Sequence, residues 1–390
     1  MRHRQEDLLA RRAIERTAPL PTLESSVAYL LELGLLDLAS LVHHGLRIEE
    51  VPGRNRNLRV LGGPGRSLFL KQAPRGESGT DGPLAVEAGL YAWVAADADA
   101  AALRPVLPVR RHYDAERAIL VLDLVPDAAR PHVLPDDASP EYLAAARDLV
   151  ATALGACHAL PVPPDAALGT RLPRAAPWVF DLARPAPASL RELAPAQLGV
   201  IQAVQSHPGA MEALGRLRDG WRPTRLIHGD FKWNNVLVQT DAAGLPVRVL
   251  LLDWEMAQLG DPAWDVGAAH HAFITEAVLG LELTDGTGAE AAAKLLGGVI
   301  AGLLPVHRDF WSRYLAAARL TAADAGALLD RLPSHVAVRL LKSAYEWSQA
   351  EVRMPRSAAA ILQLGINMLS QPDAAREVVL GLGAGGAAPA

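Results

Sequence analysis

The chain is expected to be α+β and bilobal, with a small β-rich lobe followed by a larger, mainly helical one. Three observations predict this. Strand-like apolar runs gather between about residues 46 and 126, notably at 67–72 and 118–126. Helical periodicity takes over from Ser139-Pro140 onward. A length of 390 residues with 50% hydrophobic content suffices for a substantial core.

In chain order, residues 22–42 read as two short helices, because Leu23, Val27 and Leu30 recur at helical spacing, Gly34 is a stop and Asp37 a new cap. They belong to an N-terminal helical extension over 1–45. Residues 46–128 are assigned to the β-rich lobe. Its first turn is the polar run Gly53-Arg54-Asn55-Arg56-Asn57, and Gly62-Gly63-Pro64-Gly65 reads as a hairpin turn. The strand at 67–72 carries Lys71. On the helix that follows, Leu84, Ala88 and Tyr91 define an apolar face, with Glu87 only about 60° from its centre. A carboxylate that faces inward needs a partner, and Lys71 fits. The run 118–126 ends at a proline, which places Leu124 and Val125 where a strand passes into a hinge.

The larger lobe is assigned to 129–372. Ser139 as cap and Pro140 as first helical residue open a long helix whose buried face carries Leu143, Val150, Leu154 and Cys157. The prolines of 161–195, with Trp178, Phe180 and Asp181 among them, predict an irregular segment packed over the cleft, a place for acceptor selectivity. The longest apolar stretch, near 295–306, is expected to stop at Pro305-Val306-His307 and to be too short to span a bilayer. On a late helix Lys342 and Glu346 stand at i,i+4 spacing beside Trp347. They are candidates for an acceptor site, although helix pairing and aromatic packing account for them without function. Residues 373–390 are expected to be a disordered tail.

The most informative stretch is Ile227-His228-Gly229-Asp230-Phe231-Lys232-Trp233-Asn234-Asn235, followed by Asp253-Trp254-Glu255. An aspartate at a loop start, an asparagine five positions on and a second aspartate closing the apolar run 248–253 have the spacing of a phosphoryl-transfer centre. Such chemistry is mostly positioning and charge neutralisation. Mg²⁺ takes hard oxygen ligands, so the Asn235 amide and the Asp253 carboxylate suffice beside the phosphates of ATP. Asp230 would hold the acceptor hydroxyl. Only four of 38 basic residues are lysines, Lys71, Lys232, Lys294 and Lys342, and two of them fall in these motifs. The compact ammonium of Lys232 suits contact with a moving phosphoryl group.

At these residues the chain resembles the aminoglycoside phosphotransferase and choline kinase-like family, which shares the protein-kinase fold. The resemblance implies Asp230 as the catalytic aspartate, Asn235 and Asp253 as metal ligands, and His228 as the brace of the catalytic loop. It also implies Lys71 on the phosphates with Glu87 as its partner. Many members have another residue where this chain has Lys232. The chain lacks Gly-x-Gly-x-x-Gly, so Asn55 and Asn57 in the polar turn are expected to cover the phosphates, and Leu124 and Val125 to meet adenine. Gly260-Asp261-Pro262-Ala263-Trp264-Asp265 resembles the family segment after the metal aspartate. Asp261 reads as a helix cap and Asp265 as a first-turn acid, both structural.

A net charge of −5, with no basic run and no interleaved aromatics, argues against nucleic acid as a partner. The single Cys157 cannot form an internal disulfide and reads as a buried small hydrophobe. The pairs His43-His44 and His270-His271 lack an evident third ligand for zinc. The charged start Met1-Arg2-His3-Arg4 has no apolar run after it, so a cytoplasmic protein without a membrane partner is expected. The acceptor is left open between three readings. One is a small molecule (an antibiotic, amino sugar, choline-like alcohol or metabolite), for which Glu255, Glu276 and Glu351 are candidate carboxylates if it is polycationic. Another is Ser or Thr of a peptide, which Lys232 and a docking role for the extension would favour. The third is a nucleotide-binding pseudokinase, which the intact set Lys71, Glu87, Asp230, Asn235 and Asp253 argues against.

Overall fold

The computed structural model describes residues 23–62, 67–74, 82–125, 128–129, 139–186, 192–284 and 286–383. Helices α1 (Leu23–Glu32) and α2 (Leu38–His44) open it. Gly34 between them takes φ +66°, the left-handed conformation a helix stop needs. Strands β1 (Arg47–Val51), β2 (Arg56–Leu61) and β3 (Leu68–Gln72) precede α3 (Pro83–Ala96), and β4 (Arg110–Asp114) and β5 (Ile119–Asp123) follow it. The five strands form an antiparallel sheet in the order β1-β2-β3-β5-β4. Its register puts Lys71 of the central β3 between Asn57 and Leu120. The hairpin turn expected at 62–65 lies mostly outside the described residues.

Strand β5 is apolar from Ile119 to Leu122 because both of its faces are covered. Ile119 and Val121 join Leu58, Val60, Leu68 and Leu70 beneath Tyr29, Leu30 and Leu36 of the extension. Leu120 and Leu122 join the other core, with Leu84, Ala88 and Leu90 of α3. The described part of the extension therefore spends its apolar face on the outer side of the sheet.

The larger lobe comprises β6 (Ala128–Ala129), α4 (Pro140–His158), α5 (Asp165–Leu168), α6 (Pro195–Gln205), α7 (Pro208–Asp219), β7 (Arg225–Ile227), β8 (Val236–Thr240), β9 (Pro246–Leu251) and β10 (Gln258–Gly260). Helices α8 (Ala263–Leu279), α9 (Ala289–Ala318), α10 (Ala322–Trp347), α11 (Arg356–Ser370) and α12 (Pro372–Val378) complete it. β8 lies between β6 and β9, and β7 pairs with β10. Helix α4 packs on α9, and α10 packs between α8 and α11. The Ser139 side chain accepts the Tyr142 N–H at 3.1 Å, which caps α4.

Two expectations are corrected. The apolar stretch does not stop at Pro305, since α9 runs unbroken for 30 residues. Phe310, Trp311 and Tyr314 beyond the proline are buried in the core, and this packing holds the helix through its missing N–H. By length and composition α9 is long and apolar enough to cross a bilayer, so the argument that this stretch is too short does not hold. Residues 373–383 are not a disordered tail either. They continue through α12 to Leu380 and Leu382, which are buried, and Gly381 at φ +65° turns the chain against Leu304. Residues 384–390 lie outside the described residues. Among its described residues, the proline-bearing segment 161–195 carries α5 and the short turn Trp178–Asp181. Phe180 is buried edge-on against Trp221, Trp264 and His335, whereas Trp178 is 52% exposed.

Candidate active site

A cavity of about 200 Å³ separates the two lobes, lined by Asn55, Asn57, Lys71, Leu124, Val125, Asn235 and Asp253 among others. Strand β3 delivers Lys71 from one side and α3 delivers Glu87 from behind. Lys71 Nζ lies 2.6 Å from Glu87 Oε2 and 2.6 Å from Asp253 Oδ1. The other oxygen of Glu87 accepts the Tyr91 O–H at 2.8 Å. Burial disfavours the ammonium, but Glu87 and Asp253 outweigh it and Lys71 titrates above its ordinary range. Burial beside Glu87 likewise pushes the Tyr91 phenol far up.

Strand β9 ends at Leu251, and the Leu252 N–H donates to Asn235 O at 2.7 Å, which brings the two halves of the motif side by side. Asp253 then adopts φ +65°, a conformation few non-glycine residues hold without support from their surroundings. The support is visible. The Trp254 indole N–H donates to Leu251 O at 3.0 Å, and its ring lies 4.6 Å from the His228 ring.

The loop after β7 is clamped by Asp265. Its carboxylate accepts the His228 N–H at 2.6 Å and the Gly229 N–H at 3.1 Å, so this first-turn residue of α8 holds the loop after β7 rather than merely facing a helix dipole. Burial opposes its ionisation, yet hydrogen bonding and charge from His158, with His228 and Arg339 nearby, keep its pKa low. His228 Nε2 donates to Leu252 O at 2.8 Å. His228 is fully buried. Gly229 has φ +80°, and a Cβ there would strike the Met256 carbonyl oxygen. The Gly229 carbonyl accepts the Trp264 indole N–H at 2.7 Å.

Asp230 emerges from this frame with Oδ2 2.8 Å from Lys232 Nζ. Burial would raise its pKa, but Lys232, Arg339 and Lys342 hold it below the usual carboxylate range. Asn235 donates its amide N–H to Asp230 O at 3.1 Å, which commits the donor end of that side chain to the loop. Leu124 and Val125 follow β5 at the cavity wall. In the polar turn, Asn55 Nδ2 donates to Glu255 Oε2 at 2.7 Å and Arg54 reaches the same carboxylate at 3.4 Å. Asp261 takes Arg331 at 2.8 and 3.1 Å and the Ala263 N–H at 3.0 Å, whereas the cap position of α8 itself is held by Pro262.

Sequence reasoning missed the clamp by Asp265, the bond from Glu255 to Asn55, and Arg339. For Arg339 a signal existed, because it interrupts the apolar run 336–341 of α10. It is 5% exposed and stacks 3.6 Å over the Trp264 ring. Cys157 is buried, with burial raising its thiol pKa. Among the described residues no group of three or more His, Cys, Asp or Glu is placed to hold a metal.

A strand-rich lobe and a helical lobe meet at a lysine, a glutamate and two aspartates. A family model described as "phosphotransferase enzyme family" matches residues 47–294, and the chain belongs to that family. A search of curated proteins finds no match. Among solved structures, the chain is similar to choline kinase LicA from Streptococcus pneumoniae, with 15% identity over 88% of this chain and 99% of that one and a TM-score of 0.45. It is similar to a choline/ethanolamine kinase family protein from Mesorhizobium loti, with 15% identity, 90% and 97% coverage and a TM-score of 0.47. Macrolide 2'-phosphotransferase MphH from Brachybacterium faecium shows 18% identity, 87% and 98% coverage and a TM-score of 0.45.

Proposed function

We propose that the protein transfers the γ-phosphoryl group of ATP to a hydroxyl of a small molecule, in the presence of Mg²⁺. The observation that carries this reading is Lys71 Nζ at 2.6 Å from both Glu87 and Asp253, in the cavity that Asn235 also lines. Glu87 orients Lys71 toward the phosphates, and Tyr91 fixes Glu87. Asn55 and Asn57 cover the phosphates from the turn above, and Leu124 and Val125 offer backbone groups to the base. The donor set at the lower wall, one carboxylate and one amide oxygen without thiolate or imidazole, fits a hard divalent cation. When bound, Mg²⁺ supplies neutralisation of phosphate charge, and Asn235 and Asp253 are the residues that would hold it. Asp230 accepts the hydrogen bond of the acceptor hydroxyl and takes its proton, while Lys232 offsets charge on the group in transit.

A small molecule is preferred to a peptide because Tyr29, Leu30 and Leu36 of the extension pack on the sheet, which takes up part of the surface that a docking role would need. Asp230→Ala is expected to reduce transfer by about 10²–10⁴-fold while ATP affinity, read by calorimetry, is retained. Undiminished turnover in that variant overturns the assignment.

A further inference from the structure

A second cavity, of about 360 Å³, lies on the helical lobe and has the size of a small-molecule site. None of its lining residues lines the cavity between the lobes. The chain entering β7 supplies Arg222, Thr224 and Arg225, and the first turns of α10 supply Asp324 and Arg331. Pairing with β10 fixes this entry, since Arg225 stands opposite Gly260 and the Thr224 N–H donates to Arg222 O at 2.9 Å and Gly260 O at 3.2 Å. Charge in the cavity is unevenly engaged. Arg331 is committed, with Nε and Nη2 on Asp261 and Nη1 on the Ala327 carbonyl. Asp324 accepts the Thr321 O–H at 2.8 Å. Asp219, the acid nearest Arg222 in sequence, belongs to Arg218 at 3.0 Å. The guanidinium groups of Arg222 and Arg225 remain, the first exposed and the second half-buried, and among the described residues neither is held by a hydrogen bond or an ion pair. With Asp324 alone against them, the cavity keeps a positive charge that a ligand can meet.

We propose that this cavity binds a phosphate group, free or carried on a small molecule, between Arg222 and Arg225. Two guanidinium forks present paired N–H donors, and Thr224 adds a hydroxyl. A carboxylate offers two oxygens and is matched by one fork, whereas a phosphate offers three and can be shared by both. Pro262, Leu320 and Leu328 complete the wall with apolar surface, which suits the carbon skeleton of a phosphate monoester better than a bare ion. Arg225 is the first residue of β7 and Ile227 the last, so the ligand would sit at the opposite end of the strand from the loop that carries Asp230. No residue assigned to phosphoryl transfer takes part, and the inference does not rest on that reaction.

The full-length protein is titrated by calorimetry, at constant ionic strength, with inorganic phosphate, glycerol 3-phosphate and succinate. The titrations are repeated on Arg222→Gln, Arg225→Gln and, as a control for anions entering the cleft, Lys71→Met. The phosphates are expected to bind the wild type and Lys71→Met alike, and to bind each arginine variant about tenfold or more weakly, the loss of a hydrogen bond to a charged group. Succinate is expected to bind more weakly than the phosphates. Tighter binding of glycerol 3-phosphate than of inorganic phosphate identifies a carried phosphate as the occupant, and equal or weaker binding identifies the free ion. Arg222 is exposed, so Arg222→Gln should melt at the wild-type temperature, and its lost binding is then not loss of fold. Wild-type affinity in both arginine variants, a loss confined to Lys71→Met, equally tight succinate, or no binding of phosphate in either form at millimolar concentration would each overturn the proposal.

Discussion

Lys71 is shared by two carboxylates, one from its own lobe and one from the other, and this sharing sets what single substitutions do. Asp253→Ala should lower Mg²⁺-dependent ATP affinity by about tenfold or more while leaving Lys71 paired with Glu87; tight Mg²⁺–ATP binding in a titration would contradict the metal role. A second effect at this scale concerns buried imidazoles. His270 and His307 contact each other through their Nδ1 atoms at 2.8 Å, and burial lowers His307 to about 3 and His335 to about 4. Each is neutral when folded but has an ordinary pKa near 6.5 when unfolded, so the unfolded state binds more protons below about pH 6.5. Stability is therefore complete above that pH and falls as pH drops from about 6.5 toward 4. Urea midpoints at pH 8, 6 and 5 should decline in that order, and His307→Leu should flatten the decline. Much of the site was legible at this scale because Asp230, Asn235 and Asp253 lie within one short stretch whose spacing alone suggests their chemistry. Asp265 and Glu255 were not legible as partners of the loops, because their roles depend on contacts 37 and 200 residues away in sequence.

Among the elements, α1 shows what local pattern does and does not reveal. Its periodicity announced a helix, and its partner, the outer face of a sheet whose strands reach residue 123, had no local signature. Leu30 is fully buried there. Leu30→Ala is expected to destabilise the protein by about 2–5 kcal/mol, measured by denaturant unfolding; a change below about 0.5 kcal/mol, the range of ordinary surface substitutions, would mean that this helix is not part of the core. Helix α9 failed in the other direction. Pro305 is a strong local stop signal, and tertiary packing of the residues after it overrode that signal. The terminal residues 380 and 382 were misread for the same reason, since two leucines in a glycine-rich context show no period until the groove that receives them is known.

For the whole molecule, the cleft is spanned by polar links, Lys71 with Asp253 and Asn55 with Glu255. The second link holds the polar turn down over the cavity between the lobes. Glu255→Ala removes the acceptor of Asn55 and of the longer Arg54 contact and should therefore speed release of a fluorescent ATP analogue by about fivefold, with the Asn55 hydrogen bond of ~1 kcal/mol as the main loss; an unchanged release rate in a chase experiment would show that the turn is not a latch. The bilobal plan itself was legible from the shift of period along the chain, while the closeness of the lobes was not. The coverage of the sheet by the extension has one more consequence. Every member of that outer core, from Tyr29 to Val121, belongs to the first third of the chain. On a ribosome this side of the sheet can close before the catalytic loop has been translated, leaving the inner face, with Leu120 and Leu122, as the template on which the later helices assemble.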